Sequence, residues 1–272
     1  MKLARRCLIT LSLLTSLTLP LSGCTSSTAG GALGIEREQL LLVSSSEVEQ
    51  IAAQMYAKEI AEAQRARALD TNPVQLARLR AIAARIIPHT NIYRPEAVNW
   101  QWKVHTIKSN EMNAHVLAGG KIIFYTGLID RLHLSDDEIA AIMGHEIAHA
   151  LREHSREQIS RELATQGGLS LAGSLLGLSS GQMQLANYAR EFGLNLPHSR
   201  KQESEADSIG LELMARAGYN PNAAISVWHK LNNVGGGRMP QFMSTHPNPD
   251  NRIKAMQALI PNVMPLYEGS NR

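Results

Sequence analysis

Cysteine is nearly absent from this 272-residue chain, which has only Cys7 and Cys24. A disulfide-stapled scaffold is thereby excluded, because a single bridge is the most that two cysteines can form. Aromatic residues make up 4%, too few for the stacking platforms of single-strand nucleic-acid binders. Basic residues never cluster, and 27 Lys and Arg against 24 Asp and Glu leave a formal charge of only +3. A nucleic-acid partner is not expected without such a cluster. Long apolar runs are missing too, since Leu8 to Leu21 and the glycine-interrupted segment 166–183 are both short of a membrane-spanning helix. What remains is 44% hydrophobic and 19% charged, the profile of a globular chain long enough to bury a real core.

Lys2, Arg5 and Arg6 form a basic head ahead of the apolar stretch Leu8 to Leu21, the order of a secretory signal. The stretch closes on Leu21-Ser22-Gly23-Cys24, which resembles a bacterial lipobox. That resemblance implies cleavage after residue 23 and acylation of Cys24, giving a protein anchored to the membrane without spanning it. Thr25, in place of Asp, implies the outer membrane and its periplasmic face by likeness to enteric sorting. Removing residues 1–23 takes away Lys2, Arg5 and Arg6, so the 27 basic side chains fall to 24 and balance the 24 acidic ones. The +3 therefore belongs to the targeting signal.

Residues 24–35 are mostly Ser, Thr, Gly and Ala and read as a flexible tether. A folded domain is expected over 36–262, followed by a tail at 263–272. Ser46 and Glu49 have capping-box spacing and predict a helix to about Ala68, with a second helix over Pro73 to Ile87. Trp100 to Lys108 alternates as a strand does, and Asn113 to Leu117 with Lys121 to Tyr125 forms a hairpin about Gly119-Gly120. Ser135 and Glu138 open a long helix expected to reach about Leu163. Strands followed by helices predict a single α+β domain, mostly helical, with a small antiparallel-type sheet beside the long helix.

That long helix carries His145-Glu146-Ile147-Ala148-His149, an H-E-x-x-H motif. Residues four apart differ by about 40° around a helix, so both imidazoles can grip one metal ion while Glu146 reaches a water beside it. Neutral imidazoles with a carboxylate suit Zn²⁺, and a catalytic site uses three protein ligands. Arg152 and Ser155 stand where a metzincin would need Gly and His. His154 lies about 180° from His145 on a continuous helix, so it reads as a surface or hydrogen-bonded polar residue. The remaining source is a later helix capped by Ser199 and Gln202, with Glu203 and Asp207 on one face. One of these can ligate the metal while the other holds a ligating imidazole. Glu205, about 200° round from Glu203, is expected to face solvent.

Taken together, the run Asn113-Ala114 through Gly119-Gly120-Lys121 to Tyr125-Thr126-Gly127-Leu128, the stretch Gly144 to His149, Ser199-Arg200, Glu203 to Asp207, and His246-Pro247 with Arg252 resemble metallopeptidase family 48. This is a gluzincin family that includes the CAAX prenyl and HtpX-like proteases, and the likeness is to its periplasmic lipoprotein branch. The resemblance implies a zincin-like metallopeptidase fold holding one Zn²⁺, with Glu203 as third ligand and Asp207 as the orienting carboxylate. It also implies that the strand of Asn113, Ala114, His115 and Val116 is an edge that pairs with extended substrate. His115 stands where the family usually has Phe, which bears on the substrate pocket.

The implied chemistry is metal-assisted hydrolysis of peptide bonds with Glu146 as general base. His246 and Arg252 are the candidate oxyanion donors, and His246 has the alternative of capping the metal in a latent state. Backbone pairing favours unfolded, misfolded or misassembled envelope proteins as substrates, that is, a quality-control protease with access to envelope assembly machinery. A chaperone or assembly factor on the same fold is the competing reading. Segment 166–183 reads either as a flap over the cleft or as a buried small-residue helix, and Gly235-Gly236-Gly237 as a pivot for His246. His89, His105, His133, His198 and His229 lack ligand spacing and read as ordinary histidines.

Overall fold

The computed structural model describes residues 24–165, 197–234, 239–247 and 251–270. The signal segment 1–23, the segment 166–183 and Gly235 to Gly237 lie outside the described residues. After the short strands β1 (Cys24–Thr25) and β2 (Gln39–Leu40) come helices α1 (Ser45–Arg65) and α2 (Pro73–Ile86). A sheet follows, built from β3 (Lys103–Ile107), β4 (Ala114–Leu117) and β5 (Lys121–Tyr125). Beyond it run α3 (Thr126–Leu132), α4 (Asp136–Leu151), α5 (His154–Thr165), α6 (Arg200–Arg216), α7 (Asn222–Asn232), α8 (Gln241–Thr245) and α9 (Asn251–Ser270). No helix among the described residues is long and apolar enough to cross a membrane.

The expected hairpin forms, with β4 antiparallel to β5 and Gly119 and Gly120 both at positive φ. β3 adds parallel to β5, so the sheet is mixed rather than wholly antiparallel, in the order β3-β5-β4. β4 is consequently an edge strand. α1 begins two residues earlier than the serine pattern suggests, because Ser44 with Glu47 makes the capping box. Three serines in a row offer competing caps, and this register buries Val48 and Ile51 against Ile159 and Leu163. The C-terminal helix runs through Ser270 despite Pro261 and Pro265, with Val263 fully buried, so residues 263–270 are part of the fold rather than a tail.

The segment 24–35 is also structured, contrary to its tether-like composition. β1 pairs with β2, Ala29 N–H donates to Tyr93 O, and Ala32 N–H donates to Glu212. Gly31 sits at φ 61° with the Tyr93 ring where a Cβ would be. The small polar residues are there because they fit against the domain, with Ser26 and Thr28 hydroxyls accepting from the buried Arg152 guanidinium.

α4 does not run on to Leu163. It ends at Leu151, Glu153 turns left-handed at φ 50°, and α5 starts afresh at His154. Tertiary contacts break it: Arg152 is pulled onto Glu205, Ser26, Thr28 and the Arg37 carbonyl, while Glu153 is taken by Arg94, Arg156 and Ser45.

α4 packs on α6 where Gly144 meets Gly210. A Cβ on Gly210 would lie 2.8 Å from His145 N, and one on Gly144 would lie 2.9 Å from Gly210 O. Neither backbone can retreat without separating the helices. Gly210→Ala is expected to destabilise the fold by about 1–3 kcal/mol, the cost of overpacking a tight core. Urea unfolding measures it, and a variant as stable as wild type would show that the crossing has room to spare.

Candidate metal centre

α4 is launched by the Ser135–Glu138 capping box and three acidic residues in its first turn, which suit the positive helix end. Its last two turns are buried throughout and present His145, Glu146 and His149 towards α6. The Ser199–Gln202 capping box starts α6 so that Glu203 and Asp207 face back across the crossing.

His145 Nε2 and His149 Nε2 lie 3.0 Å apart, and Glu203 approaches them at 3.5 and 3.6 Å. His246, at the end of α8, adds Nδ1 at 3.2 Å from His145 Nε2 and 3.1 Å from Glu203 Oε1. The donor atoms of His145, His149, Glu203 and His246 all fall within 4.8 Å of one another, and all four residues are buried. Three ring nitrogens and a carboxylate converge here on one buried point. They suit a cation bound among them, so the donor set fits a metal ion.

The surroundings orient these donors. His145 Nδ1 faces Asp207 Oδ1 at 3.1 Å, which leaves Nε2 for the cluster. Burial pulls His145 down, but Asp207 and Glu203 outweigh it and raise its pKa to about 9. Arg252 chelates Asp207 through Nε and Nη2 at 2.8 and 2.5 Å, reaches Glu203 Oε2 with Nη1 at 2.7 Å, and lies over the Trp228 ring. Arg252 is therefore engaged behind the carboxylates, away from the cleft, which corrects its reading as an oxyanion donor. Burial pushes the Glu146 carboxyl up, and His246 Nε2 stands 3.2 Å from its Oε1.

Two readings of single residues are overturned. Glu205 is buried rather than solvent-facing, bound by Arg37, Arg152 and His154. His198 is part of the site, with its ring stacked on His149 at 4.0 Å between centroids and near that of His246 at 5.3 Å. Its one sequence signal was its position just before the cap of the helix that carries Glu203. His154 is the hydrogen-bonded polar residue expected, but it is fully buried and the chain break turns it back onto His149.

A cleft of about 340 Å³ opens onto Glu146, His149 and His246. α1 lines it with Val48, Met55 and Glu59, and β4 lines it with Ala114, His115 and Val116, together with Asn113 just before the strand. His115 pairs with Glu59 at 3.2 Å, tying β4 to α1.

A helix-borne H-E-x-x-H pair joined by a glutamate from a second helix, beside a cleft lined by the edge strand of a sheet, is the arrangement of a metallopeptidase. The profile of peptidase family M48 matches residues 73–260, and the chain belongs to that family. It is 38% identical over 173 residues to the mitochondrial metalloendopeptidase OMA1 of Schizosaccharomyces pombe, covering 63% of this chain and 50% of that one. To the metalloprotease LoiP of Escherichia coli it is 29% identical over 248 residues, covering 89% of this chain and 91% of that one. The metalloprotease YcaL of the same organism is 27% identical over 154 residues, 56% of this chain and 59% of that one. The chain thus spans about half the length of the OMA1 relative from fission yeast.

The N-terminal strap is clamped beside this centre by Arg37, bidentate to Glu157 at 2.7 and 2.8 Å and also bound to Glu205. Burial acts to raise both carboxyls, but Arg37 with Gln39 at Glu157, and His154 with Arg37 at Glu205, hold each at about 2 against an ordinary value of 4.5. Depressed folded-state values contribute stability above the unfolded value that is lost as pH falls towards 2. Arg37→Gln should therefore cost about 3 kcal/mol at neutral pH, with the gap to wild type narrowing below about pH 4.5. Urea unfolding at pH 7 and pH 3 tests this, and an equal gap at both would refute the charge origin.

Proposed function

We propose that this chain is a zinc metalloendopeptidase that cuts unfolded or misassembled proteins on the periplasmic side of the bacterial envelope. The observation that carries the reading is the convergence of His145, His149 and Glu203 beside Glu146, at the floor of a cleft walled by the edge strand β4. His145, His149 and Glu203 would hold the ion, which when bound supplies Lewis acidity to a substrate carbonyl and acidifies water. Glu146, its carboxyl raised by burial, takes a proton from the attacking water and returns it to the leaving amine. β4 offers its free side to an extended peptide, and Asn113 Oδ1, buried without a hydrogen-bond partner among the described residues, is available to a substrate amide. Main-chain pairing reads an extended backbone more than side chains, hence the preference for unfolded substrates. The lipobox-like Leu21 to Cys24 supports acylation at Cys24 and residence at the outer membrane, where misassembled envelope proteins and their assembly machinery would be the partners.

Glu146→Gln in the full chain should retain zinc by metal analysis while cleavage of an unfolded protein falls by about 10²–10⁴-fold. Undiminished cleavage would remove Glu146 from the mechanism.

A second reading is favoured by His246, which turns Nδ1 into the donor cluster and Nε2 towards Glu146. Held there, it caps the centre in a latent form. His246→Ala should then raise cleavage. A fall instead would assign His246 to transition-state stabilisation, and zinc without cleavage in either protein would point to a chaperone or assembly factor.

A further inference from the structure

His149 has two ring nitrogens with different partners. Nε2 faces the donor cluster, and Nδ1 lies 2.8 Å from Nδ1 of His154. His154 in turn places Nε2 at 3.0 Å from Glu205 Oε2, and both rings are buried. That same oxygen receives Arg152 Nε at 3.1 Å and Arg37 Nη2 at 3.2 Å, while Arg37 Nε donates to the other. A carboxylate flanked by two guanidinium groups is ionised and can only accept. The proton between His154 and Glu205 therefore sits on His154 Nε2. A neutral imidazole carries one N–H, so His154 Nδ1 presents a lone pair. The proton between the two rings then belongs to His149 Nδ1, and His149 Nε2 is left with its lone pair directed into the cluster. The opposite assignment, with a proton on His154 Nδ1, would put His149 Nε2–H among the metal-facing atoms.

We propose that Glu205 and His154 form a carboxylate–imidazole relay that sets the tautomer and ring angle of His149 for metal binding, with Arg37 of the N-terminal strap as its outer support. His154 and Glu205 are positioning residues. The relay rests on the reading of His149 as a metal ligand. It accounts for three departures from what the sequence predicts at once. The break after Leu151 brings His154 back onto His149, Glu205 is buried, and the segment after Cys24 is docked rather than loose. It also makes the strap part of the metal centre, since Arg37 reaches His149 through two side chains.

The test is zinc affinity of the full chain, measured by competition with a chelator. Loss of a partner that orients a metal-bound histidine typically weakens binding about 10–100-fold, and His154→Phe should do so. His154→Asn, whose side-chain oxygen can take the place of Nδ1 as acceptor, should restore affinity close to wild type, which a purely space-filling role would not predict. Nitrogen-15 NMR of the zinc-loaded wild-type chain supplies a reading that needs no variant. His154 should show the Nε2–H form, with coupling across the hydrogen bond between its Nδ1 and that of His149. Wild-type affinity in His154→Phe, or a proton on His154 Nδ1, overturns the relay alone. Failure of the wild-type chain to take up zinc overturns the metal reading and the relay with it.

Discussion

The crossing of α4 over α6 at Gly144 and Gly210 sets the spacing of everything else in the site. With no side chain on either helix at that point, the two backbones approach until a Cβ would collide with peptide atoms. Interhelical distance fixes how far a side chain must reach across, and a glutamate and an aspartate on α6 reach different depths. Glu203 arrives at Nε2 of both histidines, while Asp207, one turn on and a methylene shorter, arrives at Nδ1 of His145. A wider crossing would leave Asp207 short of the imidazole and Glu203 short of the cluster.

Placing so many ionisable groups in a dry interior is costly unless each charge is answered. The carboxylates of α6 are answered from outside the histidine cluster. Arg252, on the last helix, neutralises Asp207 and approaches Glu203 from behind, with Trp228 closing over its flat face. Arg152 and Arg37 do the same for Glu205. The two histidines of α4 are thus free of any duty to balance charge and can remain neutral donors at Nε2. His145 is the partial exception, because Asp207 and Glu203 together favour its protonated form when no cation competes.

The local grammar of the chain was readable. Ser135 with Glu138 and Ser199 with Gln202 cap the helices they were expected to cap, and Gly119-Gly120 turns the hairpin that leaves β4 at the edge. The H-E-x-x-H spacing and the Glu203/Asp207 pair carried the centre. What could not be read was decided by contacts between residues far apart in the chain, 53 for Arg152 with Glu205 and 126 for Arg152 with Ser26. A helix continuing from Ser135 to Leu163 is locally reasonable, and nothing near Arg152 announces that Ser26, Thr28 and Glu205 will pull it out of line. A Ser-Thr-Gly-Ala stretch reads as loose because composition cannot register a buried guanidinium waiting for hydroxyls. His198 escaped notice because it contacts the site through ring stacking, which leaves no periodic trace.

Glu205 shows why the angular argument failed where it did. A helical wheel locates residues relative to one another but does not say what covers each face. Glu203 and Asp207 face α4, and the side opposite them is solvent only if nothing else packs there. Here the strap of residues 24–41, through Arg37 on Glu205 and Ala32 on Glu212, and the start of α5 occupy it, so α6 is buried on both sides. One helix then supplies three carboxylates with distinct partners: Glu203 to the donor cluster, Asp207 to His145, and Glu205 to His154 and through it to His149. An acidic five-residue stretch that would ordinarily be a solvated surface becomes the organising element of a buried centre, because arginines from three other parts of the chain converge on it.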